Sequence, residues 1–125
     1  MSESELQTAV ADYIRLHYPD VLFHSDFGSG IKLTMGQAAK QKRQNGGRRG
    51  WPDMFIAKPK LTFHGLFLEL KKDGTRLWKK NGDPTSEHIE EQANTLIELN
   101  DLGYWAEFAI GFDEAVEIID KYMNL

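Results

Sequence analysis

The sequence predicts an α/β fold, a mixed central β-sheet flanked by helices. Three observations predict it. Apolar residues switch between helical and strand spacing along the chain, two short strand-like runs sit close together in the middle, and a long helical pattern separates the last two strand patterns. The order reads α-β-(α)-β-β-α-β-α over residues 1–125, taken as one domain. Hydrophobic residues make up 41% and charged residues 27% of the chain, as in ordinary globular proteins.

Ser2 or Ser4 can cap a first helix, whose apolar positions Leu6, Val10, Tyr13 and Ile14 keep helical spacing until Pro19. Residues 21–24 are short and apolar, a strand, and Phe27, Gly28, Ser29 and Gly30 form a turn. Residues 34–44 read as a short basic helix ended by Asn45-Gly46-Gly47. Strands are expected at 53–57, with Pro52 at the start, and at 65–71, paired as a hairpin. A basic loop over 73–84 leads to a helix over 85–102 closed by Gly103. A strand at 104–110 and an amphipathic helix at 113–123 complete the chain.

The net charge of −4 hides a sorting of charge. Residues 1–31 carry −4, residues 32–80 carry +10, and residues 81–125 carry −10. A basic middle with only three acids suits a polyanion such as a nucleic-acid backbone, or else neutralises the acidic ends. With no cysteine, disulfides, thiolate metal sites and a thiol nucleophile are excluded. There is no GxxxxGK[ST] phosphate loop, no GxSxG elbow, no EF-hand loop, and no metal-ligand spacing among the four histidines. No nucleotide cofactor, membrane span or signal peptide is expected. Any enzyme here must work with carboxylates, Lys, Arg or Gln.

Residues 65–71 are the most informative. Strand alternation sends Leu66, Leu68 and Leu70 to one face, and Phe67, Glu69 and Lys71 to the other. Charged groups at the end of a core strand are costly unless paired or bound to something. If the preceding strand pairs with this one, Asp53 comes beside Glu69. Two adjacent carboxylates repel, and a hard divalent cation is the simplest remedy. Taken alone, Glu-x-Lys can also be an exposed ion pair, and Asp53 a turn residue after proline. Gln92 shares a helix face with Ile89, Ala93 and Leu96, so it needs a hydrogen-bonding partner if that face is buried, or water if it flanks it.

Gly50-Trp51-Pro52-Asp53 followed by Glu69-Leu70-Lys71 resembles the PD-(D/E)xK signature of the restriction-endonuclease-like fold. With Glu3-Ser4-Glu5-Leu6-Gln7 before it and Gln92 after it, the chain resembles a stand-alone VRR-NUC domain, the virus-type replication-repair nuclease. The four motifs, in order, span nearly the whole chain. The resemblance implies a restriction-endonuclease-like core and a divalent-metal-dependent DNA endonuclease, structure-selective for branched or Holliday-junction-like DNA. It implies Asp53, Glu69 and the Leu70 backbone carbonyl as ligands of Mg²⁺ or Mn²⁺. Lys71 would be the catalytic lysine, Gln92 a site-lining group near Lys71 or the scissile phosphate, and Glu3 a further ligand, with Glu5 the alternative. A homodimer on branched or duplex DNA, in the cytoplasm of a bacterial or phage-infected cell, follows from the same resemblance.

Two basic segments are candidate DNA contacts: Lys32, Lys40, Lys42, Arg43, Arg48 and Arg49, with no acid between them, and Arg76, Lys79 and Lys80 in the loop after Lys71. That loop is longer than a minimal family member would need. Trp78 in it can stack on a base or pack on its own hairpin, and Trp51 can be core or face DNA. The competing reading is a non-catalytic nucleic-acid-binding module with a structural carboxylate cluster. A protein-interaction domain is a third.

Overall fold

A computed structural model describes residues 1–26 and 32–125, so the expected turn at Gly28-Ser29-Gly30 lies outside the described residues. The elements are α1 (Glu3–His17), β1 (Phe23–Ser25), α2 (Met35–Gln44), β2 (Met54–Ile56), β3 (Leu66–Lys71), α3 (Glu87–Asp101), β4 (Trp105–Ile110) and α4 (Phe112–Met123). This is the predicted order, with β1 shifted to end at Ser25 and other ends within two residues of expectation. In α1, Ser2 and Glu5 form a capping box. The same device at Thr34 and Gln37 starts α2, and Ser86 caps α3.

The sheet order is β1-β2-β3-β4. The first three strands pair antiparallel and β3–β4 pair parallel, so the sheet is mixed, as expected. The parallel pair is joined through α3, a crossover that antiparallel neighbours do not need.

The even face of β3 is the core face. Leu66, Leu68 and Leu70 are buried with Leu6, Val10 and Ile14 of α1 and Ala115, Ile118, Ile119 and Tyr122 of α4. Full burial of side chains this size contributes roughly 1.5–3 kcal/mol each. On the opposite face, Leu96 and Leu99 of α3 pack against Ala106, with Phe67, Tyr104 and Phe108 beside them. No helix among the described residues is long and apolar enough to cross a membrane. Helix α2 buries none of its residues. It is basic and exposed rather than part of the core.

Candidate active site

The site forms where β2 begins and β3 ends. Met54 pairs with Leu68, and continuing that antiparallel register by one residue sets Asp53 opposite Glu69. Two positions along β3, Lys71 emerges on the same face as Glu69. The structure therefore brings together the two acids and the amine that the sequence paired. Glu69 and Lys71 are nearly inaccessible to water, at 3% and 5% exposure. Lys71 Nζ lies 3.8 Å from Glu69 Oε1.

Gln92 reaches down from α3 and its Nε2 donates to Glu69 Oε1 at 2.5 Å. Its contact is thus the acid itself, not Lys71. Glu69 Oε2 and Gln92 Oε1 are buried without a hydrogen-bonding partner. Burial pushes the Glu69 carboxyl well above the ordinary carboxylate range. The charge of Asp53 adds to this, Lys71 opposes it, and a hydrogen bond that the protonated Glu69 carboxyl donates to Asp53, with the charge of Glu3, raises it further.

Pro52-Asp53 acts on the backbone as well. The Lys71 and Gly65 carbonyls accept from Gly111 and Trp105 on the β4 side. By strand alternation, the N–H and C=O of Leu70 face the β2 side. There Leu70 N–H donates to Asp53 Oδ2 at 2.8 Å. The residue opposite Leu70 is Pro52, which has no N–H to give the Leu70 carbonyl. That carbonyl and the Asp53 carboxylate thus open on the same side of the strand.

Gly50 sets the approach of this segment to α3. Its φ is +80°, and an added Cβ would lie 2.9 Å from the Gln92 backbone nitrogen. Only glycine combines that backbone angle with that closeness.

The helix-one alternatives separate cleanly. Glu5 accepts from Ser2 N–H at 3.0 Å and is exposed, held in the capping box. Glu3 is half-buried and close enough for its charge to act on Glu69. The next turn is anchored by Gln7, whose buried amide donates to the Asp26 carbonyl at 2.8 Å and to Ser25 Oγ.

One neighbouring acid was not expected. Asp26 N–H donates to the Asp53 carbonyl at 2.8 Å, which continues the β1–β2 ladder and sets Asp26 beside Asp53. Desolvation raises its carboxyl, and His24, 3.8 Å away, opposes that. The strand alternation was the available signal, but the predicted strand stopped at His24.

The basic candidates divide into free and tethered side chains. Lys32, Lys40, Lys42, Arg43, Arg49, Lys79 and Lys80 are exposed. Arg48 is different. Its guanidinium donates to Thr95 Oγ1 at 3.0 Å and pairs with Glu98, so it ties the loop to α3 instead of standing free as a phosphate clamp. Arg76 is exposed and its Nε donates to the Trp78 carbonyl at 3.1 Å. Trp78 sits in a small hairpin, edge-on to Phe108 of β4 at 6.3 Å and 44% exposed, so it packs against the sheet rather than on its own stem.

A search of solved structures aligns all of this chain with 90% of a protein described as "VRR_NUC domain protein", at 28% identity and a TM-score of 0.71. This chain has the fold of a VRR_NUC nuclease domain. A second structure, described as "VRR_NUC domain", aligns more loosely, at 21% identity and a TM-score of 0.49 over 94% of this chain and 97% of that one. No protein-family model matches the chain, and no curated protein matches it.

For a VRR_NUC fold, the donor set has the right chemistry for a hard cation. It offers carboxylates, a backbone carbonyl, and a buried Glu69 oxygen that receives no hydrogen bond in its ionised form. Among the described residues, no group of three or more His, Asp and Glu side chains is arranged to enclose a metal. Mg²⁺ does not require one, since one or two carboxylates with water and substrate oxygens suffice.

Proposed function

We propose that this chain is a Mg²⁺- or Mn²⁺-dependent DNA endonuclease that hydrolyses phosphodiester bonds, acting on branched, Holliday-junction-like DNA. The observation that carries this reading is the meeting of the buried Glu69 and Lys71 with the half-buried Asp53, which faces Glu69 across the β2–β3 register. A surface ion pair would leave both groups wet. Here Lys71 offsets one of the two facing acids, and a bound cation would let both ionise.

Asp53, Glu69 and the Leu70 carbonyl would hold the cation, with Glu3 as a further ligand. The bound ion supplies charge neutralisation at the phosphate and a more acidic attacking water. Lys71 stays within reach of the same space. Its ammonium orients that water and offsets the negative charge that builds on the phosphate oxygens. Gln92 fixes the rotamer of Glu69 through its amide. The exposed Lys40, Lys42, Arg43, Arg49, Lys79 and Lys80 contact phosphates along the strand and hold it in register.

Paired cuts on a junction need two sites, so the active species is a homodimer, acting in the cytoplasm of a bacterial or phage-infected cell. Light scattering should give twice the chain mass in the DNA complex, and one copy per junction would rule the dimer out.

The function is tested by nicking assays on branched and duplex DNA with Mn²⁺, Mg²⁺ or chelator. Wild type should cut only with metal. Asp53→Ala and Lys71→Ala should lose at least about 100-fold in cleavage rate while still binding DNA. Wild-type rates in either variant would discard the site, and binding without any cleavage would leave a binding module.

A further inference from the structure

Beside the acids lies a second feature that cation chemistry does not use. On the same sheet face, one pleat further from the strand ends, His24, Phe55 and Phe67 line up across β1, β2 and β3. A two-residue step along a strand is about 7 Å. Phe55 and Phe67 stack with ring centroids 4.4 Å apart, and the Trp51 ring stands 6.3 Å from Phe67. Helix α3 covers this face only over β3 and β4, through Leu96 and Leu99. Over β2 the face stays open, and Trp51 is 40% exposed.

These rings form the walls of a cavity of about 320 Å³, at the small end of ligand pockets. Asp53 is part of its lining, so the cavity and the carboxylate pair share a wall. Its rim comes from α2 and its C-terminal cap, which offer the exposed amides of Gln41 and Asn45. The same helix carries Lys40, Lys42 and Arg43, exposed and free of any acid.

We infer that this cavity seats one unpaired nucleobase next to the phosphate being cut, stacked on Trp51 and Phe55 with its edge read by Gln41 and Asn45. Flat aromatic faces with a few amides at the rim match a base, which has a π-face and a donor–acceptor edge. A paired base keeps that face inside the duplex stack and cannot enter. The basic helix above the cavity attracts the phosphates on either side. The inference rests on the proposed nuclease reading and deepens it. Branched DNA would be preferred where the branch point frees a nucleotide at the cut, as a frayed junction pair or a flap does.

The test uses the whole chain and two matched branched DNAs, one fully paired and the other with one unpaired 2-aminopurine at the branch. Cleavage with Mn²⁺ and 2-aminopurine fluorescence with Ca²⁺ are read separately. Wild type should cut the unpaired substrate faster and quench its fluorescence on binding. In Trp51→Leu the ratio of the two cleavage rates should fall about 5- to 100-fold, as expected for one lost base stack. Gln41→Ala, on the exposed face of α2, should lower the ratio less. An abasic nucleotide at the same place should erase the wild-type preference.

A merely structural Trp51 would slow both substrates alike and leave the ratio intact, which overturns the inference. So does cleavage by wild type without quenching. Quenching without cleavage by wild type keeps the base site and removes the nuclease reading.

Discussion

Glu69 is the most deeply buried acid of the proposed site, and its surroundings make a stability prediction. Burial raises its carboxyl above the unfolded value, so the folded chain holds a proton that the unfolded chain releases. That contribution is fully present below the unfolded pKa of about 4.3 and is lost as pH rises through the folded pKa. Without metal, the thermal midpoint should therefore fall as pH rises from about 5 toward neutrality. Glu69→Gln should flatten that fall and raise the metal-free midpoint at neutral pH by a few °C, about what 1 kcal/mol gives in a chain this size. It should also cancel stabilisation by Mn²⁺. Calorimetry across pH checks all three effects, and a flat wild-type profile would contradict them.

Much at this scale was legible in the sequence. Strand alternation alone put Glu69 and Lys71 on one face, and helix periodicity put Gln92 on a buried one. The choice between Glu3 and Glu5 was not legible from phase alone, because the capping role of Glu5 competes with ligation. The tether of Arg48 was not legible, because its partners Thr95 and Glu98 lie on another element nearly fifty residues away.

At the scale of elements, the site depends on how the strand start of β2 is held against α3. Gly50 makes that approach, and Gly50→Ala should cost about 2 kcal/mol or more in stability, from positive-φ strain plus the clash with the Gln92 backbone. Cleavage should fall with it, since Gln92 would move away from Glu69. Denaturant melts together with nicking rates check this, and an unchanged midpoint would mean that the loop relaxes freely.

The hairpin itself followed from two strand-like runs joined by a loop, so that Asp53 could come beside Glu69 was legible, but the register that makes them face was not. What was not available was the role of Pro52 at the Leu70 carbonyl. That depends on which backbone groups face β2, a matter of pairing parity rather than residue pattern. The extension of β1 to Asp26 was hidden for a similar reason. A strand edge that continues through one backbone bond leaves no mark in composition.

Across the whole molecule, the basic middle of the sequence becomes α2 and two loops bordering the acidic site, while the acid-rich C-terminal third builds α3 and α4. DNA affinity should therefore fall steeply with salt. If six phosphates are contacted, the log–log slope is about −5. Lys42→Ala with Arg43→Ala should lower that slope by about 2 without changing which DNA is preferred. Fluorescence titrations between low and physiological salt measure this, and salt-independent binding would contradict a phosphate interface. The charge blocks were plain in the sequence, whereas the faces they occupy depended on α2 burying nothing.

The central claim is that Asp53 and Glu69 hold a catalytic divalent cation. Anomalous diffraction from crystals grown with Mn²⁺ tests it most directly. A manganese peak should appear between the two carboxylates, within coordination distance of the Leu70 carbonyl, and vanish in Asp53→Ala. Crystals from solutions that support cleavage, with manganese bound elsewhere and none between these acids, would contradict it.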